Sequence, residues 1–355
     1  MTEHNDEHFI SAAGLVKIFR VADLEVVALQ GLDLEASRGE MLALVGPSGS
    51  GKSTLLNALG GLDRPSAGRL SVDGQNLLKL TQQELTHYRR TKVGFVWQQT
   101  ARNLLPYLSA RANIELLMKL SGLGPRETKQ WVDELLDAVG MTEYANQKPT
   151  QLSGGQQQRI AIACALANKP TILLGDEPTG EVDWPTAQLI LGLLRDLRER
   201  YGLTIVMVTH DPRVAEQTDR VIAIRDGQTS TETVRVEQDG SIAVGAEASN
   251  NGDGVAQLHA EEMIVLDSAG RLQIPGDQRA LARIGRRAKV ELVDGGILIR
   301  PSEDDAIEIT EQTSDNGADT AYRSLYSNEP PPDQEQSVKQ KKQSRWRFLR
   351  LKRNS

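Results

Sequence analysis

The sequence holds a single cysteine, Cys164, among 355 residues. One thiol cannot build a disulfide framework, and a metal site made of cysteine pairs is excluded with it. Long apolar runs are missing too. No stretch approaches the roughly 18 apolar residues that a membrane-spanning helix needs, and the opening MTEHNDEHF is polar and acidic rather than an export signal. These absences predict a cytosolic chain that neither crosses a membrane nor is secreted.

What is present is an ordinary apolar fraction, 39%, enough to bury a sizeable core. The formal charge of -7 is unevenly spread. Between Pro301 and Val338 there are ten Asp or Glu and one Arg, and between Lys339 and Ser355 eight Lys or Arg and no acid. Such blocks read as solvated or interacting tails rather than packed structure.

From about residue 8 to 230, apolar strand-like runs alternate with helical patterns, the order of an α/β domain around a largely parallel sheet. MLALV (41–45) reads as a buried strand. It is followed by GPSGSGKST and by a helix placing Leu55, Leu56 and Leu59 on one face. VGFVW (93–97) is another strand, and residues 110–167 are mostly helical, so a helical insertion splits the sheet. Strands resume at TILLGDE and TIVMVTH. Residues 231–260 read as a flexible linker rich in Gly, Ser, Ala and Asn, 261–301 as a small second module, and 302–355 as an acidic and then basic tail.

The chemistry concentrates around phosphate. Gly46, Pro47, Ser48, Gly49, Ser50, Gly51, Lys52, Ser53 and Thr54 satisfy the P-loop pattern, with a strand before and a helix after, so that backbone N–H groups can curl around phosphate oxygens. Lys52 would pair with the β- and γ-phosphates, Ser53 would ligate Mg²⁺ and Thr54 would help hold the α/β region. Asp176 and Glu177 end an apolar strand at the sheet edge where open α/β folds place ligands. Alone, such an acid pair is most often a solvated turn; beside a P-loop, Asp176 can hold the metal and Glu177 can orient the attacking water. His210 closes the next strand, Gln98 follows VGFVW, and Phe19 by itself reads as a core residue. LSGGQ, the run Leu152, Ser153, Gly154, Gly155 and Gln156, opens a helix and is a second anion grip in a chain that already has one.

In their order, these elements resemble the nucleotide-binding subunits of ABC transporters over about residues 8–230. The resemblance implies a P-loop ATPase fold with an antiparallel β subdomain and an inserted helical subdomain. It also implies that two copies pack head to tail, each ATP lying between the P-loop of one and the LSGGQ of the other, where Ser153 and Gly155 reach the γ-phosphate. Phe19 then matches the aromatic that stacks on adenine. Gln98 links Mg²⁺ and the attacking water to the helical insert, Glu177 is the general base, Asp183 belongs to the inter-subunit loop, and His210 contacts the γ-phosphate. The expected cofactors are ATP and Mg²⁺. The expected partners are a second copy and an integral-membrane permease, which places the chain on the inner face of the cell membrane.

Within that family, SGSGKSTLLNALGGLDRPSAGRL, GFVWQQ and LLGDEPTGEVD are most similar to the lipoprotein-release and macrolide-export ATPases. Arg102, Ala112, Cys164 and Glu181 depart from that group's usual run, which bears on partner and cargo rather than on nucleotide ligands. A soluble, non-transport ABC protein and an ATP-sensing DNA regulator are the alternatives.

Residues 263–301 read as a strand, a turn at Ser268–Gly270, a second strand stopped by Pro275, a short helix and a hairpin turning at Asp294–Gly296. Through DSAGRLQIP and DGGILIRP this stretch resembles the swapped-hairpin modules of AbrB-type regulators, which implies dimerisation or regulation. Seven Lys or Arg against six Asp or Glu between Glu261 and Pro301 fall short of a nucleic-acid footprint. Nucleic acid is therefore not an expected partner, although Arg279, Arg283, Arg286 and Arg287 could form a local patch. The tail from 339 to 355, with Trp346, Phe348, Leu349 and Leu351 among its cations, could rest on an anionic membrane surface or strap back onto the acidic segment.

Overall fold

The computed structural model describes residues 8–21, 24–99, 103–236, 259–266, 270–285, 288–293 and 296–301. Arg102, most of the expected linker (237–258), Arg286, Arg287, and the acidic and basic tail at 302–355 lie outside the described residues. Among the described residues no helix is long and apolar enough to cross a membrane.

The chain opens with two long antiparallel strands, β1 (Ile10–Val21) and β2 (Leu24–Ala36), whose register shifts between Ala12 and Ile18. β3 (Met41–Val45) is buried at every position, as an apolar strand covered on both faces must be. It leads through the P-loop into α1 (Lys52–Leu59). β4 (Ala67–Val72) pairs with β1 and with the short β5 (Gln75–Asn76), completing a four-stranded sheet of order β2-β1-β4-β5. This is the antiparallel subdomain expected from the resemblance.

α2 (Gln82–Thr91) starts on a reciprocal cap between Thr81 and Glu84 and leads to β6 (Val93–Val96). The helical insertion follows as α3 (Ala110–Leu120), α4 (Pro125–Ala138) and α5 (Gly154–Ala165). Buried Trp131 on α4 donates its indole N–H to the Ala167 carbonyl at 3.0 Å, anchoring the insertion beyond the end of α5. β7 (Ile172–Asp176), α6 (Trp184–Tyr201), β8 (Thr204–Val208), the short α7 (Pro212–Ala215) and β9 (Arg220–Arg225) then complete the parallel core.

β10 (Gln228–Val236) turns back antiparallel to β9. Residues 231–236, expected in the linker, thus continue the strand. Their alternation lets Thr231 and Thr233 bury one face, and the ladder to β9 stays paired up to Val234. β11 (His259–Ile264) pairs antiparallel with the outer edge of β10. The large sheet therefore has seven strands in the order β11-β10-β9-β3-β8-β7-β6. Beyond it, the expected strand before Pro275 is reduced to one bridge, Leu266 to Leu272. α8 (Gly276–Leu281) and the hairpin β12 (Ala288–Val293) and β13 (Gly296–Pro301) occur where the sequence places them. The start of the 261–301 stretch is thus built into the cassette's own sheet, because β11 satisfies the open hydrogen-bonding edge of β10.

The main core lies between the two sheets and α1. Leu55, Leu56 and Leu59 are fully buried there with Leu29, Leu32, Leu44 and Val206. Each such side chain contributes about 1.5–3 kcal/mol through burial. The consequence for function is positional. Strands β3, β8, β7 and β6 are parallel neighbours, so their C-terminal ends, and the loops leaving them, share one edge.

Candidate nucleotide site

The P-loop leaves β3 at that edge. Gly46 has φ 143, and a Cβ there would stand 2.1 Å from the Ile224 carbonyl oxygen; Gly51 has φ 102, and its Cβ would meet the Ala28 oxygen at 2.6 Å. Both positions accept only glycine, for backbone reasons as much as for space. Gly51 also caps α1 with no side-chain bond, which leaves the helix's first N–H groups to a ligand.

Lys52 folds back over the loop, its Nζ donating to the carbonyls of Gly46 at 2.8 Å and Pro47 at 2.7 Å. Burial lowers the pKa of its ammonium, against the opposing pull of Glu177 and Asp176. An arriving phosphate would supply the missing countercharge. Ser50 is buried beneath the loop, its N–H donating to the Pro47 carbonyl at 3.2 Å.

Asp176 is the last residue of β7, and Ser53 Oγ lies 3.4 Å from its Oδ1. Glu177 follows in a left-handed conformation, φ 50, with its N–H on the Val208 carbonyl at 3.0 Å. That conformation is costly for a residue other than glycine and turns the carboxylate off the strand. The carboxylate is held from two sides. Gln98 donates Nε2 to its Oε2 at 3.1 Å, and His210 Nδ1 stands 2.8 Å from its Oε1. Residues from four strand ends thus surround one cleft of about 520 Å³, lined by Gly46, Ser48, Gly49, Gly51, Lys52, Ser53, Thr54, Gln98, Asp176, Glu177 and His210, with Ala28 and Val208.

Phe19, the LSGGQ run and Asp183, all named from the sequence, are not among the residues that line this cleft. Phe19 lies on β1 opposite Val26, over one-third exposed, with Lys17 Nζ 4.8 Å from its ring centre. The LSGGQ loop opens α5 instead: Ser153 Oγ accepts from Gln156 N–H at 3.3 Å, and Gln156 Oε1 accepts from Ser153 N–H at 2.8 Å. Leu152 is buried, and its carbonyl accepts from Gln157 at 3.0 Å. Gly154 has open space where a side chain would be. In a single copy the LSGGQ loop therefore stands apart from the residues that line the cleft.

Through-space contacts tie the LSGGQ helix to the segment after Glu177 and to the start of α6, and sequence reading missed them. Buried Gln158 donates to the Pro178 carbonyl at 2.6 Å, one residue past Glu177. A Cβ on Gly155 would lie 2.4 Å from the Thr186 methyl at the start of α6. Asp183 caps α6 by accepting from Thr186 N–H at 3.2 Å, and its bonds from Thr186 hold its carboxyl below the usual range. Arg213 binds Asp211, next to His210, and lies over the Trp184 ring at 4.4 Å. Asn113 accepts from Leu105 N–H at 2.7 Å. The only sequence signal for these was the three-residue spacing of Asp183 and Thr186, a helix-cap pattern.

The ABC transporter family model matches residues 29–180. An uncharacterized ABC transporter ATP-binding protein of Thermotoga maritima is 45% identical over 212 residues, which are 60% of this chain and 89% of that one. The chain belongs to the ABC transporter ATP-binding family. A macrolide export ATP-binding/permease protein of Syntrophobacter fumaroxidans is 43% identical over 219 residues, 61% of this chain but 30% of its own length. The solved dimeric structure of the cassette MJ0796 in a post-hydrolysis state, bound to ADP and Pi, aligns with TM-score 0.58 and 40% identity over 63% of this chain and 97% of that one. The cassette described here is thus an ATP-binding, ATP-hydrolysing subunit of the α/β P-loop class.

Proposed function

We propose that this chain hydrolyses MgATP at a site completed by a second copy, and that the cycle drives a separate membrane permease at the inner face of the cell membrane. The observation that carries the reading is the convergence of Lys52, Asp176, Glu177, Gln98 and His210 on one cleft, while the LSGGQ grip of the same chain lies elsewhere. A site with half its phosphate contacts is completed by another copy's signature loop.

In this mechanism the P-loop amides and Lys52 hold the β- and γ-phosphates. Glu177, oriented by Gln98 and His210, positions the attacking water and receives its proton. The residues fit Mg²⁺. Ser53 Oγ and an Asp176 oxygen supply hard oxygen donors side by side, and Gln98 stands near. Among the described residues no cluster of three His, Cys, Asp or Glu could hold a metal without help, as suits an ion that keeps waters and phosphate oxygens as ligands. When bound, Mg²⁺ neutralises charge on the β- and γ-oxygens. Ser153 and Gly155 of the second copy would close over the γ-phosphate, and Asp183 would lie along the joint. Loss of the γ-phosphate then removes the contact that holds the halves together. Phe19 would receive the adenine.

The likeness to macrolide export ATP-binding/permease proteins supports an exporter or force-transmitting system within the family. The same likeness argues against the soluble nucleic-acid readings. The test is reconstitution of the chain with the multispanning protein that crosslinks to it in native membranes. ATP turnover stimulated by that partner is expected; a chain captured with no multispanning partner would refute the transport reading.

A further inference from the structure

Glu177 and His210 line two cavities. One is the nucleotide cleft; the other is a smaller cavity of about 100 Å³ whose walls also include Trp184, Asp211 and Arg213. None of those three residues lines the nucleotide cleft. Packing does little to fix the imidazole, since 70% of the His210 side chain is exposed against 19% of Glu177. Its position depends on its contact with Glu177 and on the backbone that carries it.

That backbone is fastened on both sides of His210. Before it, buried Thr209 donates its N–H to the Leu44 carbonyl at 3.1 Å, on the strand that leads into the P-loop. After it, the Asp211 N–H donates to Thr209 Oγ1 at 3.1 Å. The Asp211 carboxylate is in turn gripped by Arg213. The Arg213 backbone N–H reaches Oδ1 at 2.9 Å, while Nε reaches Oδ1 at 3.1 Å and Nη2 reaches Oδ2 at 2.7 Å. The two side-chain bonds form a fork that a planar guanidinium makes and an ammonium does not. Arg213 is itself 58% exposed, and an exposed ion pair holds little on its own. Its brace is Trp184, the first residue of α6, whose indole face attracts the guanidinium lying 4.4 Å from its centre. A line of contacts thus runs from the start of α6 through Arg213 and Asp211 to the loop that carries His210.

We propose that Arg213, braced by Trp184, is a positioning residue for ATP hydrolysis: it holds the loop so that His210 keeps Glu177 aimed at the attacking water. It acts through Asp211 and His210, from outside the nucleotide cleft. The inference rests on the roles given above to Glu177 and His210. A misplacement of about 1 Å caused far from the reacting atoms is enough to cost about a hundredfold in rate.

The test is steady-state ATP hydrolysis by the full chain and by Arg213→Ala, Arg213→Lys, Trp184→Ala, Trp184→Phe and His210→Ala. Arg213→Ala should lower kcat roughly tenfold and leave KM for ATP within about twofold, the split expected when a group remote from the nucleotide is lost. Arg213→Lys keeps the charge without the fork and should be nearly as slow. Trp184→Ala should lower kcat by a smaller factor, and Trp184→Phe, which keeps an aromatic face, should recover most of that loss. Added to His210→Ala, Arg213→Ala should cause no further fall, whereas a merely stabilising contact would lower the rate by the same factor in both backgrounds. If His210→Ala is slow, then an Arg213→Ala protein at the wild-type kcat, full rescue by Arg213→Lys, or an equal fall in both backgrounds overturns the positioning role and leaves the reading of the site standing. His210→Ala at the wild-type rate would instead overturn the role of His210 in the site, and this proposal with it.

Discussion

Replacing Gly155 by alanine isolates the contact that links the LSGGQ helix to α6. The new Cβ would lie 2.4 Å from the Thr186 methyl carbon, well inside van der Waals contact, whereas at neighbouring Gly154 nothing lies within 4 Å. Alanine in a helix is favoured over glycine by about 0.5–1 kcal/mol, so Gly154→Ala should be neutral or slightly stabilising. At Gly155 that gain is outweighed by overpacking, which costs about 1–3 kcal/mol. The net loss of about 1–2 kcal/mol corresponds to a fall of roughly 2–8 °C in midpoint for a domain of this size. Thr186→Ser removes the methyl and leaves the hydroxyl 3.9 Å from that Cβ. Gly155→Ala combined with Thr186→Ser should therefore recover most of the loss, a positive coupling between the two sites. Thermal unfolding of the four proteins without nucleotide measures the cycle. Equal midpoints for Gly154→Ala and Gly155→Ala, or no recovery by Thr186→Ser, would refute the packing argument.

Other outcomes follow from the site and its supports. Glu177→Gln should keep ATP binding and lose turnover by at least about a hundredfold, read by nucleotide retention beside phosphate release; turnover near wild type would remove Glu177 from its role. At Asp73, burial alone would raise the carboxyl pKa, but hydrogen bonds from Lys92 and Arg38 outweigh it and hold the group below its ordinary value. Its stabilising effect is present above the unfolded carboxylate range and is lost as pH falls through the depressed folded value. Asp73→Asn, which tolerates the φ of 50 there, should cost about 1–2 kcal/mol near neutral pH, discounted because Arg38 is largely exposed. In acid unfolding the two proteins should converge; a constant gap at every pH would contradict the charge argument.

The local parts of the site were legible because each is written in contiguous residues. Gly46 to Thr54 sit between a strand and a helix in sequence as in space, and Asp176, Glu177, Gln98 and His210 each follow a readable apolar strand. The parallel order of β3, β8, β7 and β6 then brings those ends together. What was not legible depends on pairs far apart in the chain. The grip of Gln98 and His210 on Glu177, the Gln158 bond to the Pro178 carbonyl and the close approach of Gly155 to Thr186 leave no periodic trace. At the C-terminal end, the helix Gly276–Leu281 and the hairpin Ala288–Pro301 were readable from their turn residues and alternation. The pairing of β11 with β10 was not, because a polar strand such as HAEEMI shows no apolar alternation and is recruited by an open sheet edge.

The central claim, that each ATP site is shared by two copies, is tested most directly by mixing two inactive proteins. Lys52→Ala removes the P-loop cation but keeps the signature loop, and Ser153→Glu places a repelling carboxylate in the signature loop but keeps the P-loop. Random pairing makes half the dimers mixed, and each mixed dimer holds one intact composite site, so the mixture should regain up to about a quarter of the wild-type ATPase rate. A mixture no more active than its two components would contradict a shared site.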